Sequence, residues 1–122
     1  MAENSYKNLL VWQSAINTCK EIYDVTENFP KEEIYGLTSQ MRRAAISIAS
    51  NIAEGRSRHT KKDFLQFLHI ALGSGAELET QIEIAKQLPK TQQIDFSKAE
   101  SVLSTTMKML HGMIRALQTE SR

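Results

Sequence analysis

Four cations, Arg56, Arg58, Lys61 and Lys62, fall within seven residues of one another, with His59 in their middle. Side chains of this kind attract phosphate oxygens, arginine through a planar fork of donors and lysine as a compact point charge. From Arg42 to Lys62, a stretch that adds Arg42 and Arg43 and holds Glu54 as its one acid, the net charge is +5, which leaves −4 for the rest of a chain whose total is +1. Contact with the backbone of RNA or DNA is the chemistry this suits, with charge supplying affinity and no base being read. The competing reading is a solvated link with ordinary surface cations. No aromatic residue interleaves the run between Arg56 and Lys62, so stacking of single-stranded bases finds no platform there.

A second pattern is polar. Gln40, Arg43, Ser47, Asn51 and Glu54 recur at spacings of three, four, four and three, one stripe of a helix. Small residues (Ala44, Ala45, Ser47, Ala49, Ser50, Ala53) crowd the same segment and let other backbones come close. Polar groups in such a helix need hydrogen-bond partners wherever they are buried, and Glu77 and Gln81 are candidates to supply them. The stripe is expected to form a subunit interface or buried polar network, in preference to a plain solvent face.

The chain offers little for catalysis. Its histidines, His59, His69 and His111, lie on three separate segments, and no glutamate stands three residues before any of them, as bundle di-iron sites require. No HExxH or CxxC spacing occurs, so no metal is expected. The only GxG, Gly73-Ser74-Gly75, has no following Gly-Lys-Ser/Thr for a phosphate loop. No catalytic residue and no cofactor are expected. Cys19 falls on an apolar helical face as a small hydrophobe, and Met41, Met107, Met109 and Met113 read as core fillers.

Four helices must position these features, at about 8–28, 37–54, 61–88 and 97–119. In the first, Leu9, Trp12, Ile16, Cys19, Tyr23 and Thr26 give a seam at alternating spacings of three and four, ended by Phe29-Pro30. Leu37, Met41, Ala45, Ile48 and Ile52 line the second, with Gly55 expected as its left-handed cap. Thr60 should cap the third, which runs through Phe64, Phe67, Leu68, Ala71, Leu78, Ile82 and Ala85 to Pro89. Gly73 and Gly75 inside it suggest close helix–helix packing. Ala99, Leu103, Thr106, Leu110, Met113 and Leu117 line the fourth. Short links between long helices imply an all-α, antiparallel up-down-up-down four-helix bundle filling residues 1–122 as one domain. No apolar run reaches the roughly 20 residues of a membrane span, and the opening MAENSYKN lacks the order of a leader, so a cytoplasmic location is expected.

Several stretches carry a resemblance: VWQ in the first helix, FP after it, YGLTSQMRRAAISIASNIAEG with Arg58 following, and FLQFL, IA, GS and AELETQ in the third. Together they resemble the four-helix-bundle proteins encoded within intervening sequences of bacterial 23S rRNA genes, a family that includes the accessory variability protein of diversity-generating retroelements. The likeness is dense over residues 6 to 88. It implies a homopentamer, giving the polar stripe and Gly73-Ser74-Gly75 a subunit-packing role. It also implies binding to nucleic acid and to a protein partner, with Arg42, Arg43, Asn51, Glu54 and Arg58 matching the family's polar motif. A protein-interaction scaffold with incidental cations is the alternative function.

Overall fold

The computed structural model describes residues 5–120; the first four residues of the segment read for a leader lie outside them. Four helices carry the fold: α1 Leu10–Thr26, α2 Leu37–Arg56, α3 Lys61–Gln87 and α4 Ser97–Glu120. Short 3-10 turns at Tyr6–Asn8 and Lys31–Glu33 precede α1 and α2. Each helix packs on its neighbour in the chain, and α4 closes back onto α1. Antiparallel pairing is visible in the side chains. Lys61 at the start of α3 meets Glu120 at the end of α4, whereas Lys86 at the end of α3 meets Glu100 at the start of α4. The molecule is an up-down-up-down four-helix bundle.

Local chemistry sets the helix ends. Thr60 Oγ1 accepts the amide of Asp63 at 3.1 Å and caps α3, while Asp95 Oδ1 accepts the amide of Ser97 at 2.9 Å ahead of α4. That hydrogen bond holds the Asp95 carboxyl below its ordinary range. Ile22, Met41, Ile48, Ile52, Leu68, Leu78, Ile82, Leu103 and Leu110 are almost wholly buried at the centre. Each such side chain contributes about 1.5–3 kcal/mol relative to leaving it in water.

The buried face of α1 is not the expected seam. Val11, Ser14, Ala15, Thr18, Ile22 and Thr26 point inward. Trp12, Ile16 and Cys19 are half-buried and Tyr23 is exposed. The true face is rotated from the expected one by about one residue, roughly 100°. A hydroxyl cluster explains the phase. Ser14 Oγ and Thr106 Oγ1 share a hydrogen bond of 2.6 Å, and Thr18 Oγ1 and Thr106 Oγ1 share one of 3.0 Å, all in the α1–α4 contact. Once paired, small polar groups can be buried, and they let the two helices approach more closely than Trp12 or Ile16 would.

Gly55 is also not a left-handed cap. It lies inside α2, and among the described residues no glycine has positive φ. A Cβ there would stand 2.7 Å from Cβ of Phe67 and 3.0 Å from the Phe64 ring, so α2 and α3 touch where no side chain fits. The glycines within α3 divide. A Cβ on Gly75 would collide with the Met107 thioether of α4, so the close packing here is within one chain. Gly73 faces open space.

Candidate nucleic-acid interface

The link between α2 and α3 is only residues 57–60, and it gathers the cations. Arg56 ends α2, Lys61 and Lys62 open α3, and Arg58 and His59 lie between them. Arg56, Arg58, His59, Thr60, Lys61, Phe64 and Leu117 line a cleft of about 200 Å³ at this end of the bundle. Arg56 is half-buried, and its Nε is buried with no acceptor among the described residues. A buried donor left unpaired costs about 1–3 kcal/mol. That cost is a reason for an anion to be held close by.

Two acids partly neutralise the cluster. Arg58 pairs with Glu54 at 2.9 Å, one helical turn back, and its guanidinium carbon lies 5.0 Å from the Phe67 ring centre. Lys61 meets Glu120 at 3.7 Å. The Arg58–Glu54 pair is about half exposed on both sides, and Glu120 is more exposed still. Pairs like these contribute about 0–1 kcal/mol, so a phosphate can replace the carboxylates at little cost. Lys62 and His59 are exposed.

Arg42 and Arg43 do not join this group. Arg42 is about 21 Å from Arg56 along α2 at 1.5 Å per residue. Its Nε donates to Thr26 Oγ1 at 2.8 Å, and its guanidinium stacks 4.4 Å from the Tyr23 ring centre. Arg42 therefore ties α2 to α1, and Arg43 stands exposed on the outer side of α2. The stretch that sums to +5 in sequence is two groups in space.

The polar stripe is satisfied within the chain at its centre. Ser47 Oγ shares a 2.8 Å hydrogen bond with Ser74 Oγ across the α2–α3 contact. Asn51 Nδ2 donates to the Ser47 carbonyl at 2.8 Å and to its hydroxyl at 2.9 Å. Gln40 and Arg43 are exposed, and Glu54 belongs to Arg58. Glu77 and Gln81 are not the partners of α2. Gln81 Nε2 donates to Glu77 Oε2 at 3.2 Å on their own helix, and Gln81 Oε1 is buried without a partner.

An apolar groove between α1 and α2 escaped the sequence reading. Tyr6, Trp12, Ile16, Cys19, Ile46, Ala49, Ser50 and Ala53 line about 310 Å³ of it. Tyr6 and Trp12 meet edge to face at 5.4 Å. Partial burial pushes the Cys19 thiol above its ordinary pKa. Ile46 remains 42% exposed beside these residues. The signal was present in the sequence, because α1 carries apolar residues over more of its circumference than one seam needs.

Elsewhere, Glu79, Glu83 and Glu100 flank an α3–α4 cleft of about 330 Å³. Among the described residues, no group of three or more His, Cys, Asp or Glu side chains is arranged to hold a metal ion. Likewise, no described helix is long and apolar enough to cross a membrane.

None of the curated proteins matches the chain. The family model described as 23S rRNA-intervening sequence protein matches residues 7–112, from just before α1 to the last turns of α4. That span takes in the whole α2–α3 link and all but the end of the bundle, so the chain belongs to the family of 23S rRNA-intervening sequence proteins.

Proposed function

We propose that this protein is a non-enzymatic helical-bundle module that binds nucleic acid through the phosphate backbone. The binding end is the α2–α3 link. The observation that carries this reading is the convergence of Arg56, Arg58 and Lys61 on one cleft, with Lys62 exposed next to Lys61 in the chain, and with Arg58 and Lys61 paired to the exposed, exchangeable carboxylates of Glu54 and Glu120. The family's description, 23S rRNA-intervening sequence protein, is compatible with a nucleic-acid partner. Replacing the four cations with glutamate should abolish binding to structured RNA or duplex DNA while the helical content and melting temperature persist. Binding that survives this reversal would move the site elsewhere.

A second reading, a self-associating protein scaffold, is favoured by the α1–α2 groove. Trp12, Ile16, Cys19 and Ile46 form an apolar surface that one chain alone leaves partly in water. A second copy of the chain is the occupant we assign to it, in the homopentamer that the family resemblance implies. The polar stripe, already paired with Ser74, is the weaker candidate for that interface. The two readings are compatible, because the groove and the basic cleft have no lining residue in common.

A further inference from the structure

The basic end of the bundle is a converging site, and this narrows what it can hold. Proteins that follow a nucleic-acid backbone spread their cations along a surface, so that successive phosphates are met in turn. Here Arg56, Arg58, His59 and Lys61 surround a single cleft. The row does not continue along α2, because Arg42 lies about 21 Å away and is held by Thr26 and Tyr23. One side of the cleft is apolar, formed by Phe64 and Leu117.

Phosphate chemistry separates two ligands for such a place. A phosphodiester within a strand carries one negative charge and is flanked by sugars on both sides. A terminal phosphomonoester carries about −1.5 to −2 at pH 7, presents three strong acceptor oxygens, and has a sugar on one side only. The second can enter a cleft and turn its nucleoside toward an apolar wall.

We propose that the cleft holds the terminal phosphomonoester of a nucleic-acid strand, with Arg56, Arg58 and Lys61 as its donors and Phe64 and Leu117 against the terminal nucleoside. This rests on the nucleic-acid reading above and narrows it from backbone contact to strand ends. Arg58 and Lys61 exchange Glu54 and Glu120 for phosphate oxygens, so binding opens two carboxylates to water.

The test is fluorescence anisotropy with the full chain and one short, internally labelled single-stranded RNA in three forms: 5′-phosphorylated, 3′-phosphorylated, and with hydroxyls at both ends. A phosphate at the accepted end should tighten binding about tenfold over the hydroxyl-ended strand. Arg58→Gln at an exposed position and Lys61→Gln at a half-buried one should each remove most of that gain without changing the melting temperature. Equal binding of all three strands would overturn the end-binding proposal and leave backbone contact standing. A gain that persists in both variants would also overturn it, by placing the phosphate outside the cleft. No binding of any strand would overturn the end-binding proposal, and failure of structured RNA and duplex DNA to bind beside it would overturn the nucleic-acid reading as well.

Discussion

Arg42 Nε donates to Thr26 Oγ1 at 2.8 Å, with the guanidinium stacked over Tyr23, so this arginine is a fastener between α1 and α2. Thr26 Oγ1 in turn donates to the Ile22 carbonyl at 2.6 Å, which fixes its lone pairs toward Arg42. The cation that sequence counting placed in a nucleic-acid patch is engaged in holding the fold.

Arg42→Ala should therefore lower stability by about 1–2 kcal/mol, from the lost charged hydrogen bond and cation–π contact. It should leave nucleic-acid affinity within about twofold, since charges this far from the cleft are screened. Urea denaturation and anisotropy on the same preparation check both halves.

Glu54→Gln should act in the opposite sense. It releases Arg58 from a half-exposed pair, so stability should change by no more than about 0.5 kcal/mol. Nucleic-acid binding should tighten, because a competing carboxylate is removed from the cation. Weaker binding in Glu54→Gln would mean that Glu54 positions Arg58 for its ligand and does not compete with it.

The two glycines of α3 should respond differently to alanine. Gly73 faces open space, so Gly73→Ala should stabilise by up to about 1 kcal/mol through helix propensity. Gly75→Ala meets the Met107 thioether and should destabilise by about 1–3 kcal/mol. Adding Met107→Ala should recover part of that loss. Thermal melts of the three variants distinguish intramolecular packing at Gly75 from packing between subunits.

The α1–α2 groove makes a prediction about assembly. Ile46→Glu puts a charge on its exposed rim, which should shift sedimentation toward a species near 13.8 kDa while helicity is kept. Wild-type chain sedimenting at that mass would contradict self-association outright.

Much of the bundle was legible because bulky apolar residues in α2, α3 and α4 recur at helical spacing and are in fact buried: Met41, Ile48, Leu68, Leu78, Leu103 and Leu110. The phase of α1 was not. There the largest side chains, Trp12 and Ile16, lie toward the rim, while Ser14 and Thr18 occupy the core by pairing with Thr106, a residue that only the folded chain brings near. Gly55 misled for a related reason, because its role depends on Phe64 and Phe67 of α3; close packing at Gly75 was legible, but its partner, Met107 of α4, was not. At the basic end, residues near in sequence across a tight link stayed together. Arg42, a helix length away, did not.

The central claim is that four cations at the α2–α3 link contact phosphates, and the salt dependence of binding tests it most directly. The phosphate charge neutralised at this end of the bundle, from about two charges for a lone terminal phosphomonoester to about four for backbone contact, gives a slope between about −1 and −3 in log affinity against log salt. The account predicts that slope for the wild-type chain, flattening toward zero when Arg56, Arg58, Lys61 and Lys62 are reversed to glutamate. A wild-type slope near zero, or no binding at about 50 mM salt, where phosphate contacts are weakly screened, would contradict it.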